Sequence, residues 1–205
     1  MTIVREPRLH PIAIRKLRPT QMTVGMREVA AKVKHWREVG HKNAYLGTHT
    51  IPVVHGLQDH YYVIDHHHLA YALQEAGVKT IAVTLVADLR RLTKSTFWSF
   101  MDARGWTHPY DANGKRCNHS ALPRRITGLV DDPYRSLAGE LRHMGGFAKD
   151  VTPFSEFLWA DFLRPRIKRH HISKDFSTAL AKALELAKDI DADYLPGWCG
   201  PVQRH

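Results

Sequence analysis

The sequence predicts an α+β protein, in which a small mixed-sheet α/β core is followed by a mainly helical C-terminal half. Through residue 87, runs rich in β-branched and aromatic residues alternate with helical apolar spacing, in the order β-α-β-β-α-β. After residue 90 the composition shifts to helices and loops, and no internal repeat is present. We therefore expect a core over residues 1–90 and a helical extension over residues 91–205 that packs on it as one structural unit.

The core elements follow from local composition and from their boundary residues. Strands are predicted over residues 12–17, 51–55, 61–64 and 80–86, and helices over residues 24–39 and 69–76, with a polar loop at 41–50 and a turn at 56–60. Pro19 ends the first strand, because proline cannot donate a ladder hydrogen bond in a central strand. Pro52 indicates an edge strand or a strand start for the same reason, and Gly77 ends the second helix.

The C-terminal half has clear helix signals separated by irregular segments. Helices are predicted over residues 94–103, 132–143, 154–162 and 176–189, after a polar and aromatic loop at 105–120. Asp132 is a favoured N-cap and Pro133 suits the first helical position. Residues 164–171 form a short basic run, for which both a phosphate-backbone contact and a helix end remain open.

Bulk composition favours an anionic partner and no membrane contact. The formal net charge of +10 favours nucleotides, nucleic acid or phosphorylated metabolites. No apolar run approaches the roughly 18 to 20 residues of a membrane span, and residues 1–8 lack a signal-peptide core, so a cytoplasmic protein is expected. Cys117 and Cys199 lie far apart, which disfavours a disulfide framework or a zinc knuckle.

The most chemically distinctive stretch is Asp65-His66-His67-His68, which lies where a predicted strand turns into a helix. A helix N-terminus carries unpaired N–H groups and the positive end of the dipole, so it suits a phosphate. Asp65 could instead be an ordinary N-cap. Consecutive helical residues point about 100° apart, so the three imidazoles cannot converge on one metal. A metal site that pairs His66 or His68 with a remote histidine stays open.

Three stretches together resemble the ParB/sulfiredoxin superfamily: Leu17-Arg-Pro-Thr-Gln21, the junction through Asp65-His-His-His68, and the strand over residues 80–86. The whole chain is most similar to the branch named ParB-like nucleases. The stretches that carry this resemblance are Arg-Pro-Thr-Gln-Met-Thr-Val-Gly-Met-Arg-Glu-Val29, Asp-His-His-His68, Ser-Ala-Leu-Pro-Arg124 and Asp-Asp-Pro-Tyr-Arg-Ser-Leu137.

The resemblance implies a nucleotide or phosphate cradle at the junction. Asp65 would be a base or a metal-orienting group, and His67 and His68 would act in catalysis and contact phosphate together with His66. The implied cofactors are a nucleotide (ATP, ADP or CTP) and Mg²⁺. The residues that would flank the nucleotide are Arg18, Thr20, Gln21, Thr23 and Arg27.

Departures from the superfamily pattern reduce the number of activities that the resemblance can imply for this chain. Leu69 stands where an arginine is usual, so Arg18 and Arg27 are the candidates to replace that phosphate donor. Gln21 falls at or near the catalytic glutamate of the related serine kinases, and glutamine cannot act as a general base. His67 matches the sulfiredoxin cysteine, which excludes sulfinate reduction by that route.

Two classes of function therefore compete. The first is a nuclease-like phosphoester hydrolase or phosphotransferase that binds a nucleotide or nucleic-acid phosphate at the turn; of these, a small-molecule kinase is disfavoured by Gln21 and Leu69. The second is a non-catalytic module that senses a nucleotide or binds nucleic acid. Arg124, Arg125 and Arg135 could supply a second anionic contact, and a homodimer is open in either case.

Overall fold

The structure is a computed structural model that describes residues 9–201, so the N-terminal stretch 1–8 lies outside the described residues. The α+β class predicted from the sequence is confirmed. The strands are Leu9–Ala13 (β1), Leu17–Pro19 (β2), Thr23–Val24 (β3), Ile51–His55 (β4), Tyr61–Val63 (β5), Thr80–Asp88 (β6) and Val130–Asp131 (β7). The α-helices are Met26–Glu38 (α1), Lys42–Thr48 (α2), His67–Glu75 (α3), Lys94–Ala103 (α4), Pro133–His143 (α5), Ser155–Leu163 (α6), Arg169–Lys174 (α7) and Phe176–Leu186 (α8).

The central sheet is mixed and has the strand order β1-β6-β4-β5-β2. β1 pairs antiparallel with β6, β4 pairs parallel with β6 and antiparallel with β5, and β2 pairs parallel with β5. Pro19 lies in β2, an edge strand, where a missing N–H disrupts no ladder. Pro52 lies second in β4, an interior strand, so of the two expected positions it occupies the strand start and not an edge.

Three segments differ from the sequence-based expectation. The predicted strand at 12–17 is divided, because Ile14–Lys16 forms a 3₁₀ turn between β1 and β2. The predicted loop at 41–50 contains α2, where Tyr45 packs edge-on against Trp36 with ring centroids 5.6 Å apart. The basic run at 164–171 leads into a short helix, α7. In the first two segments tertiary contacts override weak local preference.

The chain forms two compact units, and their boundary differs from the expected one at residue 90. Within the described residues, the first unit comprises residues 9–23 and 29–130, and the second comprises residues 24–28 and 131–201. α4 belongs to the first unit because Phe97 and Met101 pack with sheet residues in one buried cluster. The second unit has its own core, in which Trp159 is fully buried.

Over residues 9–201, no helix combines the length and the apolar character needed to cross a membrane.

A close approach of backbone to aromatic rings gives a test of the first unit's packing. A Cβ added at Gly56 would lie 2.5 Å from Phe97 and 2.9 Å from Tyr62, both in the cluster beneath α4. We expect Gly56→Ala to lower the free energy of unfolding by about 1–3 kcal/mol through overpacking. Gly47→Ala is the matched control, because nothing lies within 4 Å of its Cβ and it is in α2. Chemical denaturation should show that Gly47→Ala loses no stability; equal losses in both variants would contradict this packing.

Candidate functional site

The predicted strand-to-helix turn is present, and its backbone is unusual. His66 precedes α3 with φ +63° and ψ 29°, a left-handed conformation that is uncommon outside glycine. Asp65 accepts a hydrogen bond from the His66 N–H at 2.6 Å, but no side chain caps α3. The N-cap position therefore belongs to His66, and the simple capping role considered for Asp65 is not realised. The first amides of α3 keep the anion-binding character of an uncapped helix start.

Asp65 and His66 face solvent, with about three-quarters and one-half of their side chains exposed. The Nδ1–H of His66 donates to the carbonyl oxygen of Thr50 at 3.0 Å, because a carbonyl can only accept. This leaves Nε2 of the neutral ring as an unprotonated nitrogen, 3.9 Å from Oδ2 of Asp65. The turn thus presents two proton acceptors at the positive end of a helix.

His67 has the opposite environment. Its side chain is buried, and its Nε2 accepts a hydrogen bond from the backbone N–H of Thr20 at 3.1 Å. Burial lowers the pKa of His67 to about 3, with a smaller contribution from His66, and a hydrogen bond to the Val63 backbone opposes the shift. A neutral, buried imidazole with this acceptor occupied cannot contact a phosphate from solvent. The structure places His67 in a supporting position, and its catalytic and phosphate-binding role stays a prediction that this burial disfavours.

His68 is also buried, with 7% of its surface exposed. The prediction that it contacts phosphate directly meets the same obstacle, because a ligand entering from solvent reaches the exposed residues first. Of the three histidines in the motif, only His66 projects outward. The sequence placed all three at the turn but did not show which one faces solvent.

Thr20, Gln21 and Thr23 are buried and engaged within the protein. The Thr20 hydroxyl donates to the Val63 carbonyl at 2.6 Å, and the Gln21 amide donates to the Thr23 carbonyl at 2.6 Å. Their contacts with nucleotide stay a prediction; in this structure the side chains of Thr20 and Gln21 brace the loop that holds His67.

A residue that sequence reasoning missed completes this support. The backbone N–H of His108 donates to the Thr20 carbonyl at 2.8 Å, and the Thr107 hydroxyl donates to the same oxygen at 3.0 Å. Burial lowers the pKa of His108 to about 4, and its ring stacks on Tyr110. No local signal in the irregular segment at 105–120 indicated this role.

The two arginines expected to replace the missing phosphate donor make other contacts in this structure. Arg18 is paired in register with Tyr62, three residues before Asp65, which corresponds to roughly 10 Å of extended chain. Its guanidinium donates to Nε2 of His60 at 3.0 Å, at the end of β5 remote from the turn. Arg27 belongs to the second unit, where its guanidinium lies 3.8 Å above the Phe176 ring centroid.

The family described as "Putative ParB-like nuclease" matches residues 10–165. The chain belongs to this family. The predicted recognition is thereby confirmed.

A comparison with solved structures matched this ParB-like chain to one close relative and to one distant protein. The crystal structure of protein Atu1540 from Agrobacterium tumefaciens has 52% sequence identity to this chain and a TM-score of 0.88. The match covers 95% of this chain and 99% of the Atu1540 chain. The C-terminally truncated chromosome-partitioning protein ParB from Caulobacter crescentus, complexed to the centromeric parS site, is 12% identical over 88% of this chain and 98% of its own. Its TM-score of 0.29 is too low to indicate a detailed correspondence. No curated protein matches the sequence.

The alternative of a metal held by clustered side chains finds no support within residues 9–201. That part of the chain contains no group of three or more His, Cys, Asp or Glu side chains arranged to hold a metal ion. The hypothesis that His66 or His68 binds zinc together with a remote histidine therefore lacks its further ligands among these residues.

The buried state of His67 predicts a pH dependence of stability in this ParB-like protein. Its folded pKa of about 3 lies below the ordinary value near 6.5, so the unfolded chain binds an extra proton between these values. Stability is therefore present above about pH 6.5 and falls as the pH drops towards 3, by up to about 1.4 kcal/mol per pH unit. We expect His67→Gln to be less stable at pH 7 but to show a shallower decline in chemical denaturation between pH 7 and 4.5.

His66→Gln is the control for this measurement, because it removes an exposed imidazole from the same turn. His108 contributes a decline in all three proteins, so the informative quantity is the difference between their slopes. Equal slopes in the wild type and His67→Gln would show that His67 is not held neutral by burial.

Proposed function

We propose that this ParB-like protein binds a phosphate ester at the N-terminus of α3 and hydrolyses it, as a nuclease or phosphohydrolase. The observation that carries the proposal is the combination of an uncapped helix start with an exposed carboxylate and imidazole beside it. The amides of residues 67–69 are the natural donors to phosphoryl oxygens, and the helix dipole favours negative charge there.

The chemistry assigned to the turn is proton transfer with electrostatic support. A water oxygen bonds to phosphorus while Asp65, or Nε2 of His66, accepts the proton that the water releases. The bond from phosphorus to the leaving ester oxygen breaks, and that oxygen takes up a proton from solvent. The charge that develops on the phosphoryl oxygens is stabilised by the amides at the start of α3.

Mg²⁺ fits this turn only together with a bound phosphate. The ion is commonly held by one or two carboxylates and by substrate phosphates, with water filling its remaining positions. Asp65 is the carboxylate that would contact it, and the bound ion would neutralise phosphoryl charge. Without such a cation, the carboxylate of Asp65 would repel an anionic substrate.

The substrate class that we propose is a nucleotide, namely ATP, ADP or CTP, or a nucleic-acid strand. The family description as ParB-like nucleases and the net charge of +10 both favour a phosphodiester or a polyphosphate. A kinase is the weaker assignment within this class, because the Gln21 amide is buried against the Thr23 backbone and provides no base.

A non-catalytic binding module is the second candidate, and one observation favours it. Two of the three histidines in the motif are buried, so fewer groups are available to assist chemistry than the sequence indicated. In this case the same turn would bind a nucleotide or a nucleic-acid phosphate without turnover, and Asp65 would act only through charge.

Asp65→Asn separates these two candidates. Hydrolysis of ATP, ADP, CTP and short DNA should be measured with and without Mg²⁺, alongside binding of the same ligands. If Asp65 accepts a proton or orients Mg²⁺, turnover should fall by about 10²-fold or more while the fold is unchanged. His66→Gln should reduce turnover less, because it leaves the carboxylate in place.

His41→Gln is a matched control, since it removes another exposed imidazole that forms no side-chain cap. It should retain wild-type turnover. Binding by the wild type without hydrolysis of any of these esters would establish the module instead. Neither binding nor hydrolysis would refute the assignment of a phosphate site to the turn.

A further inference from the structure

A cleft of the first unit lies at the end of β2 and β5 that is remote from the Asp65 turn. Its volume is about 560 Å³, within the usual range of small-molecule sites. It is bounded by the 3₁₀ turn before β2, the turn before β5, the C-terminal half of α3 and the segment near Ile126. The lining residues that matter here are Arg15, Lys16, Arg18, His60, Gln74 and Arg125.

Positive charge in this cleft is largely uncompensated. Four permanent cations line it, and its single acidic residue is Asp59. The Asp59 carboxylate is engaged by Nε2 of His55 at 2.7 Å and lies 3.7 Å from Arg90. Within residues 9–201, no carboxylate forms an ion pair with Arg15, Lys16 or Arg125. An anion entering the cleft therefore displaces no existing ion pair.

The Arg18 guanidinium is oriented before any ligand arrives. It donates to the Leu17 carbonyl at 3.3 Å and to Nε2 of His60 at 3.0 Å. Because a guanidinium can only donate, Nε2 of His60 must accept, and the ring is neutral with its proton on Nδ1. Burial, Arg18 and Lys16 lower the pKa of His60, and Asp59 opposes them.

One wall of the cleft contains an unsatisfied polar atom. Oε1 of Gln74 is buried and has no hydrogen-bond partner among the described residues. Leaving a buried carbonyl oxygen unpaired is costly, and such atoms usually mark a bound water or ligand. This oxygen has almost no accessible surface, so a ligand O–H or N–H donor would reach it once the Gln74 amide rotates towards the cleft.

We propose that this cleft binds a small phosphate ester that carries hydroxyl groups, of the size of a sugar phosphate. Arg18, Arg15, Lys16 and Arg125 would hold the phosphate, and a ligand hydroxyl would donate to Oε1 of Gln74. The cleft lining contains no Phe, Tyr or Trp, the large aromatic side chains on which bases stack in most single-strand binding sites. This feature favours a sugar phosphate over a nucleotide.

This second site is independent of the proposed hydrolysis. Tyr61 and Tyr62 pair with Leu17 and Arg18 at the cleft end, whereas Asp65 follows the other end of the same strand. The two sites can therefore be disabled separately. Asp65→Asn should leave binding in the cleft unchanged, so failure of one assignment does not imply failure of the other.

The experiment is an NMR titration of the full chain with ribose 5-phosphate, inorganic phosphate, ribose and a short single-stranded DNA. The ring signals of His60, assigned with His60→Gln, should shift with ribose 5-phosphate. A bound phosphate favours protonated His60, so the pKa of His60 should rise when ribose 5-phosphate binds. The charged groups that face His60 are Arg18, Lys16 and Asp59.

The variants separate the two kinds of contact. Arg125→Gln removes an exposed cation and should weaken binding of both phosphate probes about tenfold or more, as should Arg18→Gln. Gln74→Met should weaken ribose 5-phosphate several-fold but leave inorganic phosphate unchanged. Arg37→Gln, an exposed arginine of α1, is the matched control and should bind as the wild type does.

Three results would overturn the proposal. The first is that ribose 5-phosphate leaves the His60 signals unmoved. The second is that Arg37→Gln weakens binding as much as Arg125→Gln does, which would indicate nonspecific charge attraction. Single-stranded DNA could also bind more tightly than ribose 5-phosphate with the same sensitivity to Arg125→Gln. That outcome would assign the cleft to a nucleic-acid backbone instead of a free phosphate ester.

Discussion

The hydrogen bond from the backbone N–H of Thr20 to Nε2 of buried His67 determines how the turn is built. It joins the loop after the edge strand β2 to the first turn of α3, and the Thr20 hydroxyl strengthens the junction through Val63. A buried imidazole can accept this bond only when it is neutral, so the fold depends on a deprotonated His67. His108 and Thr107 hold the Thr20 carbonyl from the other side. His67, which the sequence indicated as a catalytic residue, therefore has a structural role in this turn.

Placing His67 inside has a direct consequence for its neighbours. His67 and His68 point inward in the first turn of α3, whereas His66, at the non-helical N-cap position, stays exposed. The backbone then reverses through the left-handed conformation at His66, which costs free energy for a residue with a Cβ. In return, Asp65 and His66 stand in solvent beside amides that no side chain caps. Strain retained at an exposed, chemically equipped turn is typical of functional sites and uncommon in purely structural ones.

Local patterns were sufficient for most of the elements but not for the assignment of roles. The strand predicted at 51–55 has the same first and last residues as β4. A β-branched run bounded by turn residues is compatible with few structures other than a strand. The helix α2 was missed because its seven residues have no apolar period and depend on Tyr45 packing against Trp36. The sequence also placed Arg18 beside the phosphate turn. Parallel pairing with β5 instead sets Arg18 against Tyr62 and His60, and this register depends on contacts distant along the chain.

The same reasoning shows why a net charge of +10 does not by itself identify a binding surface. In the second unit, Arg164 is bound to buried Asp132 at 2.9 Å, and Arg135 lies between Glu28 and Glu156. An anion approaching such an arginine must compete with a carboxylate that is already in place, so these cations serve packing and contribute little attraction. The arginines and the lysine around β2 have no such partner among the described residues. What matters for recognition is therefore whether a cation is already paired, and the fold decides that through its choice of neighbours.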